Sequence, residues 1–144
     1  MDKIVAVVYP VPEKLVDRLL SEKKDIFVKY VARSTNLRIA PGNKLVLYAS
    51  QGSKKVVGER VIKAIEFMTP SEVLAKYGSR VFLTKDELMV YATQVPGRPP
   101  TKKLLVLVLG KTRSYSPPLK WKAPITMTGQ YLTEGQYAEL LREK

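Results

Sequence analysis

The segment KLLVLVLG (103–110) constrains the fold more than any other part of the chain, because its six central residues, all leucine or valine, belong inside a sheet. The run is bounded by lysine on one side and glycine on the other, and is far short of the roughly 20 residues that cross a bilayer. It predicts a fully buried strand near the sheet centre. A second β-branched run, KIVAVVY (3–9), predicts another strand, ended by Pro10 and Pro12. Its brevity and the prolines after it argue against a signal peptide, so the chain is expected to be soluble and cytoplasmic.

Helical spacing takes over at Val11, Leu15, Val16, Leu19 and Leu20, with Lys14, Asp17, Arg18 and Glu22 opposite. This predicts a helix over about 12–22, with Pro12 in its first turn. DIFVKYVAR (25–33) reads as a strand, and Pro41-Gly42 as a turn. KLVLYAS (44–50), the polar QGSKK (51–55) and VVGERVIKAIEF (56–67) form a hairpin in which Gly58 marks a bulge or a close backbone approach. Thr69-Pro70-Ser71-Glu72, Thr84-Lys85-Asp86-Glu87 and Thr133-Glu134-Gly135-Gln136 each place a capping threonine three residues before an acidic or amide side chain, predicting three short helices. QVPGRPPTKK (94–103) and KTRSYSPPLKWKAP (111–124) read as proline-broken loops. With no repeat and no long linker, residues 1–144 are expected to form a single α+β domain.

The chain has no cysteine and no histidine. Disulfides, thiolate chemistry and imidazole-based metal or acid–base sites are therefore excluded, and no cofactor is implied. Lys and Arg number 25 against 13 Asp and Glu, a formal charge of +12. Such an excess favours a polyanion, and without a basic amphipathic helix RNA is a better candidate than a membrane. The competing reading is a basic surface that serves solubility alone.

Four segments, in order, carry a family resemblance. They are the first strand running through prolines into a helix that ends Ser21-Glu22-Lys23-Lys24; the basic strand Ile26-Phe27-Val28-Lys29; Pro41-Gly42-Asn43-Lys44-Leu45-Val46-Leu47-Tyr48-Ala49-Ser50; and Val57-Gly58-Glu59 followed by the Thr69 helix. This order, covering roughly residues 3–110, resembles the PUA-like superfamily and within it the ASCH-type domains, in a little-characterised archaeal branch whose C-terminal segment departs from the general pattern. The resemblance implies a PUA-like pseudo-barrel of mixed, mostly antiparallel strands with short flanking helices. It also implies RNA binding in a cleft lined here by Lys24, Lys29, Arg33, Tyr48, Ser50, Gln51, Lys54 and Lys55.

The residues themselves support several roles. Lys29 and Arg33 would share a strand face with Val31 and could track phosphates, or could belong to a solvated sheet exterior. The 51–55 tip could meet a phosphate, and an ordinary turn explains it equally well. Lys111, Arg113, Tyr115, Lys120, Trp121 and Lys122 interleave cations with aromatics, a pattern suited to an unpaired or modified base; packing of Trp121 over the barrel end is the alternative. Some ASCH-type relatives resemble amide hydrolases of a modified nucleoside that use a lysine, a threonine three residues on and a glutamate. Lys24 and Glu59 could supply two of these, but Phe27 stands where the threonine belongs, with Thr35 or Ser50 as substitutes. A non-enzymatic adaptor that uses the proline-rich loops is a third reading.

Overall fold

The computed structural model describes residues 3–21, 23–30, 37–51, 54–93, 103–121 and 129–142. Six strands and four helices follow one another along them: β1 (Ile4–Pro12), α1 (Glu13–Leu20), β2 (Ile26–Lys29), β3 (Lys44–Gln51), β4 (Val56–Met68), α2 (Pro70–Tyr77), α3 (Lys85–Thr93), β5 (Leu104–Leu119), β6 (Gln130–Thr133) and α4 (Glu134–Leu141). A 3-10 turn, Gly78–Arg80, follows α2. The strands form one sheet in the order β2-β5-β4-β3-β1-β6. β1 runs parallel to β3, and every other pairing of these strands is antiparallel. The mixed sheet curls into a pseudo-barrel, as the resemblance implied.

Leu104, Leu105, Val106, Leu107 and Leu109 are all buried. β5 is an interior strand, one position in from the β2 edge rather than at the centre. It also continues beyond Gly110 to Leu119, through a stretch that reads as a broken loop. This is possible because β2 reaches only to Val108 on one side, while the β4 register skips from Ser114 to Leu119 on the other. Pro117 and Pro118 therefore fall where no ladder bond is required. The same reasoning corrects the expected break after Tyr9. β6 stops at Val8, so Pro10 and Pro12 occupy a part of β1 flanked by β3 alone.

Gly58 lies where the ladder shifts on both sides. A Cβ there would come within 2.8 Å of the Leu20 side chain and 2.9 Å of the Arg113 carbonyl, so only glycine fits. The threonine caps of α2 and α4 form complete capping boxes with Glu72 and Gln136, and Thr84 and Glu87 exchange the same two bonds at the start of α3.

The curled sheet has two apolar faces. Its concave side packs against α1 through Leu15, Val16 and Leu19 and against α2 and α3 through Val73 and Leu88. A smaller cluster on the other side joins Val8, Val46, Tyr48, Tyr115 and Leu119 to Leu132 and to Leu140 of α4. Arg60 lies between the concave face and the turn after α1, only 2% exposed. Its guanidinium donates to the carbonyls of Leu19, Ser21, Lys24 and Gly110 at 2.8–3.2 Å, which fixes the end of α1 to β4 and β5.

Candidate nucleic-acid interface

The end of β1 turns directly into α1, and β2 lies alongside. These elements, with the end of β3 and with α3, enclose a cavity of about 670 Å³. Phe27 and Lys29 point the same way from β2, as alternate strand residues must. Phe27 stacks between Tyr9 and Phe82, with ring centroids 5.7 and 5.2 Å away. Tyr91 of α3 packs against Tyr30 at 5.3 Å and accepts a hydrogen bond from its backbone N–H at 2.9 Å, which fixes the outer wall to β2. Arg18 holds α3 to α1 by donating to Glu87 and to the Phe82 carbonyl; this pairing and the Thr84 cap hold the Glu87 carboxyl down, at about 2.

Lys29 is the chemically distinctive group. It lines the cavity, is 7% exposed, and its ammonium lies 5.2 Å from the centre of the Tyr9 ring. Desolvation pushes its pKa down. The ion pairs among the described residues are Arg18–Glu87, Lys76–Glu66 and Arg80–Asp25, so no described carboxylate neutralises Lys29. Ser50 and Lys14 complete the polar lining, with Asp86 and Glu87 at the α3 side. An apolar, aromatic-walled space with a buried cation, a serine hydroxyl and two carboxylates on its α3 side can hold a flat ring and bond to its polar edge.

Of the residues expected to line the cleft, Lys29 and Ser50 meet there. Lys24 does not: its ammonium donates to the Ser79 carbonyl at 2.6 Å, at the opposite end of β2. The exposed Lys54 and Lys55 follow Ser50 around the hairpin. The pairing of Val56 with Leu119 brings that hairpin beside Lys120 and Trp121. Tyr48 and Tyr115 are buried on the other side of the sheet, and the half-buried Trp121 packs against that same cluster. Arg113 is exposed, 5.9 Å from the Tyr115 ring. Gln51 ends β3. Arg33, Thr35, Lys122 and the tip residues Gly52 and Ser53 lie outside the described residues.

Glu59 and Lys24 are not brought together. Arg60 reaches the Lys24 carbonyl, so its neighbour Glu59 faces the opposite side of the strand. There Glu59 is 4% exposed and accepts hydrogen bonds from Tyr115 and Tyr137. Burial and this carboxylate push both phenols upward, keeping them protonated as donors. Phe27 and Lys29 could have been grouped from their period-two spacing. Phe82 and Tyr91 arrive from distant elements, and no local signal marks them.

Among the described residues no group of acidic side chains could hold a metal ion, and no helix is long and apolar enough to cross a membrane. The chain matches the family described as "Domain of unknown function (DUF365)" over residues 4–134. It is 30% identical over 106 residues to an uncharacterised protein of Methanocaldococcus jannaschii, covering 69% of this chain and 98% of that one. Its fold is similar to that of the ASCH protein of Zymomonas mobilis, crystallised as a serine-to-alanine variant: TM-score 0.79, 18% identity, 99% of this chain and 98% of that one. The N-terminal domain of Staphylothermus marinus McrB is a more distant likeness, with TM-score 0.56, 14% identity, and 100% and 99% covered. The chain therefore belongs to the DUF365 family, and its fold is the ASCH-type, PUA-like pseudo-barrel.

Proposed function

We propose that the protein is a single-domain RNA-binding module that takes one unpaired or modified base into the Lys29 cavity. The observation that carries this reading is the buried ammonium of Lys29 on an aromatic-walled cavity, which makes no ion pair among the described residues. A buried cation without an anion is costly, so an electron-rich ligand that accepts from it recovers part of that cost. Nucleobases carry carbonyl and ring-nitrogen acceptors on a flat face that stacks well on aromatic side chains. Lys54, Lys55 and Lys120, exposed at the hairpin beyond Ser50, are suited to the flanking phosphates. The net charge of +12 favours the same partner.

The test is fluorescence anisotropy of a short labelled single-stranded RNA with the wild type, Lys29→Met and Val90→Trp. Val90 lies exposed at the cavity, where a larger side chain narrows the space without entering the core. Both variants are expected to lose about tenfold or more in affinity, the scale of one stacked base. Wild-type binding by both would remove the cavity from the interface.

A further inference from the structure

A second charged surface lies on the opposite side of the sheet from the cavity. The cross-strand pairing of Glu59 with Arg113 and of Lys44 with Val61 puts these four on one face of β3, β4 and β5. Lys63 follows Val61 by two residues and shares its face. The Lys63 side chain lies across Gly110, where a Cβ would meet its Cγ and Cδ at 3.0 Å. The β4–β5 register gains an extra residue at this point, between the pairs Arg60–Thr112 and Ile62–Leu109. Such a bulge turns Lys111 outward beside Arg113. Lys63, Lys111 and Arg113 are exposed and Lys44 is half-buried.

Four cations thus occupy three adjacent strands, at spacings of roughly 5–10 Å set by sheet geometry. The expected neutralising partner is Glu59, which sits directly across from Arg113. It turns inward instead, to the hydroxyls of Tyr115 and Tyr137. Glu66, farther along β4, is taken up by Lys76 of α2, and no ion pair among the described residues includes Lys44, Lys63, Lys111 or Arg113. Glu134 is at its margin, beside Lys3 and Lys44.

We infer that this outer face, centred on Lys63, Lys111 and Arg113, is a second phosphate-binding surface that holds the backbone of a nucleic-acid duplex. The inference rests on the nucleic-acid reading above but assigns a different ligand form to a different face. A paired stem has no free base to offer the cavity, whereas a rigid array of cations on a sheet matches its regularly spaced phosphates. A hairpin RNA could present its unpaired loop to the cavity while its stem meets the cations of this second face.

The probe is a blunt, fully paired 20-bp RNA duplex, titrated at several salt concentrations. The wild type is expected to bind it with a steep salt dependence. The triple variant K63Q/K111Q/R113Q should lower the slope of log affinity against log salt by about 2–3, near 0.9 for each phosphate left without its cation. Lys29→Met should leave duplex binding unchanged. Failure of the wild type to bind the duplex at about 50 mM salt, or a wild-type slope in the triple variant, overturns the inference. So does a reduced slope that appears only in a K54Q/K55Q variant. Each of these results leaves single-stranded binding by the cavity standing, so the two proposals fail separately.

Discussion

A lysine enclosed by Tyr9, Phe27 and the walls of a cavity is a poor stabiliser of the fold. Burial lowers the pKa of Lys29 in the folded state, while the unfolded chain holds it near the ordinary lysine value. Between those two values the unfolded chain binds more protons, so Lys29 makes stability rise with pH across that window. Below the folded pKa its penalty is fully present. Lys29→Met should therefore raise the midpoint of thermal unfolding at pH 7, with the gap to wild type narrowing as pH climbs toward 10.5. Thermal scans from about pH 6 to 10 check this; a variant less stable than wild type at pH 7 would mean that the Tyr9 contact outweighs desolvation. A residue that costs stability and lines a cavity is the signature of a functional group. Its strand and its alternation with Phe27 are legible in the sequence. Its enclosure is not, because the covering side chains come from α3, which is distant along the chain.

At the scale of elements, local chemistry is what the sequence records best. Thr69, Thr84 and Thr133 cap helices because the bonds they make span three residues, within reach of any window read along the chain. Long-range pairing is harder to read. The prolines at 10, 12, 117 and 118 read as breaks, yet lie in strands because neighbouring strands stop short of them. β6 is four residues long and gives no periodic signal of its own. Arg60 is a further case: nothing in VVGERVIKAIEF distinguishes a surface arginine from one that serves four carbonyls. Arg60→Met should cost about 3 kcal/mol or more, since it leaves several buried carbonyls without donors. Urea unfolding measures this directly, and a loss below about 1 kcal/mol would show that water or neighbouring groups replace the guanidinium.

For the whole molecule, the organising fact is a sheet with an apolar cavity on one side and a basic face on the other, joined by a hairpin whose exposed lysines lie between them. Glu59, read from the sequence as a possible acid–base partner of Lys24, instead binds α4 to the sheet through Tyr137, and so helps to leave Arg113 without an ion pair among the described residues. The excess of cations was legible from composition, but its division between two faces required the strand registers. Photocrosslinking tests the central claim most directly: a single-stranded RNA carrying one photoreactive base is bound, irradiated and mapped by mass spectrometry. The account predicts crosslinks on Phe27, Phe82 and Tyr91, lost when unlabelled RNA competes. Crosslinks confined to Tyr77 and the surface around α2, with none on the cavity wall, would contradict it.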